Sequence, residues 1–222
     1  MKTRIFRHKP QTPWTYRELD AYQKNLIPRI LAGEPGELLL SEVAPVITVG
    51  RRTPASDLLL TPGDLQSQGV DLYPTDRGGL ATYHGPGQWV LFPVDRLEAL
   101  VGDTRGVRKT VDVLLESALE TMRPYLPEAQ ISMSEGRVGV WNRDKKIASV
   151  GIHIQDGVLQ HGLSLNVFKT RTSFMGIRPC GHEPQVGYLL DAHYSDPQAL
   201  EREFTKIGES LISRILERFW KS

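Results

Sequence analysis

The spacing of hydrophobic residues along the chain alternates between two periods. A capping box from Thr15 to Glu18 precedes apolar residues at helical spacing, and Pro28 is expected to kink that helix or end it early. A second amphipathic helix is predicted over about 105–122, and a last one begins with Asp196 as its cap. The chain therefore has long helices near both ends and in its middle.

Between these helices, apolar and polar residues alternate with period two, which is typical of strands. Two strands are predicted over 38–42 and 46–49, and two more, over 147–154 and 158–167, flank the hairpin signal Asp156-Gly157. This order of elements predicts an α+β fold with a mixed, largely antiparallel sheet and flanking helices packed on one side of it.

The composition is that of an ordinary globular protein, with 40% hydrophobic and 24% charged residues. We expect a single domain over residues 1–222. The 27 basic and 26 acidic residues nearly cancel, so no overall field favours nucleic acid or an anionic membrane. No apolar run approaches the length of a membrane span, and no signal peptide is recognisable, so a cytoplasmic location is expected.

Cys180 is the only cysteine among the 222 residues. A lone thiol forms no intramolecular disulfide and no thiolate-rich metal site, so it is either a buried small hydrophobe or a nucleophile. Pro179 and Gly181 on either side favour a tight turn on which the sulfur is open to a ligand. The segment alone leaves both interpretations open.

Residues 77–88 hold four glycines in twelve positions, which lets backbone approach a ligand closely. Arg77, Thr82, His84 and Gln88 supply hydrogen-bonding side chains around these glycines. The segment lacks the spacing of a dinucleotide-binding fingerprint and of a phosphate-binding loop. It is either a ligand cradle or a glycine-rich turn between edge strands.

Two strand residues are further candidates. Lys146 begins an alternating apolar series and is expected to point inward, as a base or as a lysine snorkelling at a strand end, while Lys145 points to solvent. His161 falls on an apolar strand face, where a hydrogen-bonded core histidine is the favoured interpretation. His182 and His193 have no recognised metal-ligand spacing, so no metal site is expected.

Four segments taken together resemble one family. They are Arg77-Gly78-Gly79-x-x-Thr82-x-His84-Gly85-Pro86-Gly87-Gln88, Lys146-Ile147-Ala148-Ser149-x-Gly151, His161-Gly162-x-x-x-Asn166-Val167 and Pro179-Cys180-Gly181. In this order they are similar to the octanoyl-[acyl carrier protein]–protein octanoyltransferases, also called lipoyl(octanoyl) transferases. The match runs from about residue 38 to residue 181.

The resemblance implies the fold of biotin protein ligases and lipoate-protein ligases. It implies transfer of an octanoyl group from acyl carrier protein, through a thioester on Cys180, to a lysine of lipoyl domains, as the first step of endogenous protein lipoylation. The implied acceptors are lipoyl domains of 2-oxoacid dehydrogenase complexes and the glycine cleavage H protein. No cofactor is implied, and Lys146 is the partner of the nucleophile.

The positions implied to bind the acyl group form three short segments. These are Arg77, Gly78, Gly79, Leu80, Ala81, Thr82, Tyr83 and His84; Ser149, Val150 and Gly151; and Gly162, Leu163 and Ser164. Gly78, Gly79 and Gly162 are expected to leave room for the chain.

Three other functions remain open. They are an ATP-dependent lipoate or biotin ligase of the same fold, a cysteine thioesterase, and a non-catalytic module that binds carrier protein. Removing Cys180 separates them, because ligation and binding would survive while transfer and hydrolysis would not.

Overall fold

A computed structural model describes residues 4–8, 13–178, 185–190 and 196–220, with only the backbone described for 4–8 and 185. Cys180, His182 and His193 therefore lie outside the described residues. Within the described part of the chain, no helix is long and apolar enough to cross a membrane.

The helices are α1 (Tyr16–Leu31), α2 (Pro62–Ser67), α3 (Leu97–Val101), α4 (Val107–Met122) and α5 (Pro197–Phe219). The strands are β1 (Arg4–His8), β2 (Glu37–Ser41), β3 (Val46–Val49), β4 (Asp71–Pro74), β5 (Thr82–His84), β6 (Gln88–Val94), β7 (Gln130–Ser132), β8 (Gly139–Asn142), β9 (Lys145–Gln155), β10 (Val158–Asn166) and β11 (Gln185–Val186).

The described strands form a large sheet and a small one. The large sheet has eight strands in the order β1-β2-β6-β10-β9-β8-β7, with β11 paired to β9. Its β1–β2 and β9–β11 pairs are parallel and its other pairs are antiparallel, so the predicted mixed, largely antiparallel sheet is confirmed. The small sheet has the order β4-β3-β5.

Side chains alternate across the large sheet and separate two apolar cores. Leu38 and Leu91 pack in one core with α3, α4 and α5. Leu39 and Phe92 point the other way and pack in a second core with α1. The expectation that the helices lie on one side was therefore wrong. Every residue of β2 and β6 is buried, as strands covered on both faces require.

Local signals placed several elements correctly. The Thr15 side chain accepts a hydrogen bond from the Glu18 backbone N–H, which completes the predicted capping box of α1. Asp156 and Gly157 turn between β9 and β10 with φ of 52° and 77°, as a tight hairpin requires. Of the two outcomes expected at Pro28, a kink or an early end of α1, the early end is wrong, because the helix continues to Leu31. Proline removes only one helical hydrogen bond there, and buried neighbours hold the last turn in place.

Candidate active site

A cavity of about 460 Å³ lies between the large sheet and the small one. Strands β9 and β10 supply one wall, and the segment 77–82 that leads into β5 supplies another. Tyr16 at the start of α1 and Phe92 of β6 also line it. The two sheets thus enclose a space bounded by glycines, apolar side chains and a few polar groups.

The cavity brings together nearly all of the site residues predicted from the sequence. Of those in the described part of the chain, all except Tyr83 line it. Thr82 and His84 point into the cavity, so Tyr83 between them points away, as strand alternation requires. The Tyr83 hydroxyl lies 2.8 Å from Thr172 Oγ1, and its ring packs 5.5 Å from that of Phe174.

Lys146 lines the cavity at the start of β9, whereas Lys145 is exposed. The phase predicted for this pair from strand alternation is therefore confirmed. Lys146 Nζ lies 5.6 Å from the centroid of the Trp141 ring. A side chain at Gly139 would collide with Lys146 Cε, so this glycine leaves room for the lysine.

A hydrogen-bonded chain ties several strands together beside Lys146. The Asn166 side-chain amide donates to the Gly187 carbonyl at 3.2 Å and to the Lys146 carbonyl at 3.5 Å. Its oxygen accepts from Gln88 Nε2 at 2.8 Å, and Val186 of β11 pairs with Lys146. We call this region, with Lys146, Asn166 and Val186, the lysine end of the cavity.

Arg77 is buried, and its described hydrogen bonds go to the protein. The guanidinium donates to the Thr48 carbonyl at 2.7 Å and to Thr48 Oγ1 at 2.8 Å. It also donates to the carbonyls of Gly78 at 3.2 Å and Leu80 at 2.8 Å. The sequence suggested a donor aimed at a ligand. Instead, this side chain fixes the shape of the segment 77–82, which we call the glycine-rich loop.

His84 is held neutral inside the cavity wall. Gln88 Nε2 donates to the Tyr83 carbonyl, so the Gln88 oxygen must face His84, whose Nδ1 donates to it at 2.6 Å. Burial, aided by the charge of Arg77, lowers the pKa of His84 to about 3. The ring therefore carries no charge at neutral pH.

Strand alternation predicted that His161 shares a face with Leu159 and Leu163, but in the structure it does not. Its φ of 58° interrupts the strand pattern and turns the ring toward α1. There Nδ1 lies 3.1 Å from the Tyr16 hydroxyl and 3.1 Å from Gln23 Nε2. It is the hydrogen-bonded core histidine that was expected, but it packs on the opposite face of the sheet.

Burial lowers the pKa of His161 to about 4, although the nearby Asp20 carboxylate opposes that shift. The ring stacks 6.5 Å from Tyr16 and meets Phe92 edge to face at 5.4 Å. We call this region, with His161, Tyr16 and Phe92, the histidine end of the cavity.

Several lining residues were not among the positions that the sequence assigned to the acyl site. They are Tyr16, Arg52, Phe92, Val111, Glu135, Gly136, Val138, Ile152, His161, Asn166, Phe174 and Val186. His161 and Asn166 belong to the third motif quoted above, and Ile152 directly follows the second. Tyr16 and Val111 reach the cavity from helices distant in sequence, and no local pattern marks them.

Basic side chains border part of the cavity. The backbone N–H groups of Arg51 and Arg52 donate to the carbonyls of Arg77 and Gly79, which places this turn beside the glycine-rich loop. Both side chains are exposed, and Arg52 lines the cavity. Arg143 is exposed as well and forms an ion pair of 3.2 Å with Glu128.

Within the described residues, no group of three or more His, Cys, Asp or Glu side chains is arranged to hold a metal ion.

Comparison with known proteins matches residues 15–197 to the family described as the lipoyl protein ligase A/B catalytic domain. An octanoyltransferase from Magnetococcus marinus is 37% identical over 176 residues, covering 78% of this chain and 76% of that protein. Another from Nitratidesulfovibrio vulgaris is 37% identical over 167 residues, covering 75% of this chain and 74% of that protein.

Solved structures of lower identity share the fold. A putative lipoate protein ligase from T. acidophilum superposes with a TM-score of 0.74 at 15% identity, covering 98% of this chain and 85% of that one. A biotin protein ligase from Aquifex aeolicus gives a TM-score of 0.53 at 12% identity, covering 100% of this chain and 74% of that one. The predicted fold class is therefore confirmed.

The fold and the cavity define a catalytic domain of the lipoyl protein ligase A/B class. Within that class, the chain belongs to the octanoyltransferase family, and it is an acyltransferase.

Proposed function

We propose that this enzyme takes an octanoyl group from acyl carrier protein, holds it as a thioester on Cys180, and passes it to a lysine of a lipoyl domain. The observation that carries the proposal is the cavity itself. It is walled by glycines and apolar side chains, and one of its ends holds a lysine. Such a space suits an acyl chain whose carbonyl lies beside a base.

The first half-reaction is a thioester exchange. The Cys180 thiolate attacks the carbonyl carbon of the donor thioester, the new C–S bond forms, and the carrier thiolate leaves and takes up a proton. Exchange of one thioester for another is nearly neutral in energy, so no nucleotide is needed to drive it.

The second half-reaction forms an amide. The neutral ε-amine of the acceptor lysine attacks the acyl carbonyl, the C–N bond forms, and the Cys180 thiolate leaves. The attacking nitrogen loses one proton. Because a free lysine amine has a pKa of about 10.4, a base close to the reacting atoms favours this step.

We assign the base to Lys146. In the first half-reaction it accepts the thiol proton of Cys180, and in the second it accepts the proton of the acceptor amine. Its position in the cavity wall supports this role, and so does its pairing with β11. Val186 pairs with Lys146 and is only six positions after Cys180 in the sequence.

The dimensions of the cavity suit a medium-length acyl chain. Leu80, Val150 and Leu163 line it, and each buried CH₂ contributes about 0.8 kcal/mol while space remains. Gly78 leaves open space beside β9, since a side chain there would meet only the Ile152 carbonyl at 3.6 Å.

The proposed partners are acidic acyl carrier proteins and lipoyl domains. Arg51 and Arg52 are exposed beside the glycine-rich loop, where they can steer an acidic donor toward the cavity. A Thermoplasma acidophilum lipoate protein ligase with the same fold, at a TM-score of 0.64, is described together with its E2 lipoyl domain. That pairing supports an acceptor of the same kind here.

Reconstitution without nucleotide tests the proposal. Purified protein, octanoyl-acyl carrier protein and an apo lipoyl domain are mixed without ATP, and octanoyl-lysine is followed by mass spectrometry of the domain. We expect transfer by the wild type and none by Cys180→Ala. Transfer that requires ATP and free octanoate, and survives Cys180→Ala, would indicate a ligase. Release of free octanoate without modified lipoyl domain would indicate a thioesterase.

A further inference from the structure

We propose that His161 determines specificity at the far end of the acyl cavity, where its Nε2–H donates a hydrogen bond to an acceptor atom near the distal end of the acyl group. The enzyme then accepts eight-carbon acyl groups that carry an oxygen near C7 or C8, and not only a saturated chain. This inference rests on the proposed octanoyl transfer, and it names a substrate class for the same cavity.

The position of His161 follows from the strand register. His161 pairs with Ile152, which is six residues along β9 from Lys146. At about 3.3 Å per residue the two backbone positions are roughly 20 Å apart. An extended eight-carbon acyl group spans about 9 Å, and the lysine side chain reaches about 6 Å, from standard bond lengths. Together these lengths cover about 15 Å of that distance. Because Lys146 and His161 line the same cavity, an acyl group whose carbonyl lies beside Lys146 extends toward the end that His161 lines.

The proton on the His161 ring is located by Gln23. The His161 backbone N–H donates to Gln23 Oε1 at 2.8 Å, and a backbone N–H cannot accept, so the orientation of the Gln23 amide is fixed. Its NH₂ group then donates to Asp20 Oδ1 at 2.7 Å and to His161 Nδ1 at 3.1 Å. Nδ1 is therefore an acceptor, and the ring proton is on Nε2.

The same contacts keep the ring neutral. A second proton on Nδ1 would face the N–H of Gln23, two donors against each other. Asp20, the nearby acid, is already engaged by Lys24 at 2.8 Å and by the Tyr73 hydroxyl at 2.9 Å. His161 is thus a hydrogen-bond donor of fixed orientation, and it is neither charged nor a base.

The Nε2–H donor is unused by the protein. It is fully buried and has no hydrogen-bond partner among the described residues. Its cavity neighbours are the aromatic rings of Tyr16 and Phe92, which supply no strong acceptor in the ring plane. A buried donor without a partner is unfavourable, and an acceptor atom on a ligand relieves that cost. A saturated chain end leaves the Nε2–H donor without a partner.

The test compares two acyl groups of equal carbon count. N-acetylcysteamine thioesters of octanoate and 7-oxooctanoate compete for transfer, and the ratio of their kcat/KM values is measured for wild type, His161→Phe and His161→Gln. The ketone supplies an acceptor and no donor. We expect the ratio of 7-oxooctanoyl to octanoyl to fall about tenfold in His161→Phe, the worth of one hydrogen bond. His161→Gln, which keeps an N–H donor, should retain part of the wild-type preference for the ketone.

A ratio that changes less than twofold in His161→Phe would overturn the proposal. So would a wild type that disfavours the ketone tenfold or more, as an entirely apolar cavity should. If His161→Phe does not fold, Gln23→Leu serves instead, because it keeps the ring but lets the proton move to Nδ1. The ratio should then fall at least threefold, and no fall would contradict the donor role.

Two readouts separate this inference from the proposed function. If the wild type transfers no octanoyl group, the proposed function fails, and calorimetric binding of octanoate and 7-oxooctanoate tests His161 alone with the same ratios expected. Two-bond ¹H–¹⁵N spectra at pH 7 report the tautomer directly. They should show the His161 proton on Nε2, and a proton on Nδ1 would overturn the assignment.

Discussion

The lysine end and the histidine end of the cavity are built from different kinds of contact. At the lysine end, Lys146 begins a strand, and neighbouring strands of the same sheet surround it. At the histidine end, Gln23 of α1 holds His161 of β10, which is 138 residues further along the chain. One end is marked by short sequence motifs, and the other exists only after the helix packs on the sheet.

The two ends also differ in electrical character. Lys146 is half-buried in the cavity wall, where the proposed mechanism needs a base. His161 is buried, its pKa is lowered to about 4, and it stays neutral. On the proposed mechanism, proton transfer takes place at the lysine end and substrate recognition at the histidine end. Changes at the lysine end should therefore affect turnover, and those at the histidine end should affect substrate choice.

The largest expected effect concerns Lys146. Lys146→Ala should lower octanoyl transfer by about 10²-fold or more, equal to about 2.7 kcal/mol, because the base of both half-reactions is lost. Lys145→Ala is the matched control, since its side chain is exposed on the opposite strand face, and it should lose less than twofold. Steady-state transfer to a lipoyl domain measures both, and equal losses would refute the division between the two positions.

A second comparison uses two glycines of the cavity. A side chain at Gly162 would collide with the Leu91 carbonyl across the β6–β10 pair, so Gly162→Ala should cost about 2–3 kcal/mol of unfolding free energy. Gly78→Ala meets only the Ile152 carbonyl at 3.6 Å, so it should cost less than about 1 kcal/mol. It should also shift the preferred acyl length downward by filling open space.

Urea unfolding and a series of acyl thioesters measure these two effects. The sequence suggested that Gly162 leaves room for the acyl chain, whereas the structure shows that its lack of a side chain permits close strand contact. If Gly162→Ala were as stable as wild type and only changed the acyl preference, the backbone role would be disproved.

Much of the fold followed from local patterns, because capping boxes, turn dipeptides and periodicity act within a few residues. The helix cap at Thr15, the hairpin at Asp156-Gly157 and the cap of α5 at Asp196 were all predicted correctly. Strand β1 and the packing of α1 on the opposite face were not. Both depend on which edge or face a segment finds after the chain collapses, and no local pattern encodes that choice.

The cavity shows the same division between local and long-range information. The segment from Arg77 to His84 was predicted as a unit, and only Tyr83 points elsewhere. His161 was predicted on the wrong face because alternation assumes regular backbone, and its φ of 58° violates that assumption. The hydrogen bonds from Gln23 that accompany this turn span two distant segments, so only the structure reveals them.

Stability should depend on pH through the neutral histidines. His84 and His161 have folded-state pKa values lowered to about 3 and about 4. Below about pH 6.5 these two histidines take up protons in the unfolded chain, whereas in the folded protein they stay neutral down to their lowered pKa values. Each histidine should therefore remove about 1.4 kcal/mol of stability per unit as pH falls from about 6 to 4.

Replacing one histidine isolates this contribution from the titrating carboxylates. His161→Gln keeps a hydrogen-bond donor and has no group that titrates in this range. Its free energy of unfolding should therefore fall less steeply than that of the wild type as the pH is lowered, and the two slopes should differ by about 1 kcal/mol per pH unit. Denaturant unfolding at pH 6.5, 5.5 and 4.5 measures the slopes. Identical slopes in wild type and variant would mean that His161 is protonated in the folded protein, against the neutral character given to this end.

The smallest effect concerns donor docking beside the glycine-rich loop. Neutralising Arg51 and Arg52 should raise the KM for octanoyl-acyl carrier protein about three- to tenfold and flatten its salt dependence, because long-range attraction is lost. Small octanoyl thioesters should react as before. Arg143→Gln offers a comparison, since that side chain is paired with Glu128 and does not line the cavity. A KM indifferent to salt and to these changes would exclude electrostatic docking.

In the proposed mechanism, Cys180 carries the acyl group during transfer. The decisive experiment is intact-mass spectrometry after rapid acid quench of a single turnover with octanoyl-acyl carrier protein. We expect one added octanoyl group, located on Cys180, released by neutral hydroxylamine, and absent from Cys180→Ala. Transfer to the lipoyl domain at full rate with no acyl-enzyme at any quench time, or an octanoyl group on another residue, would contradict it.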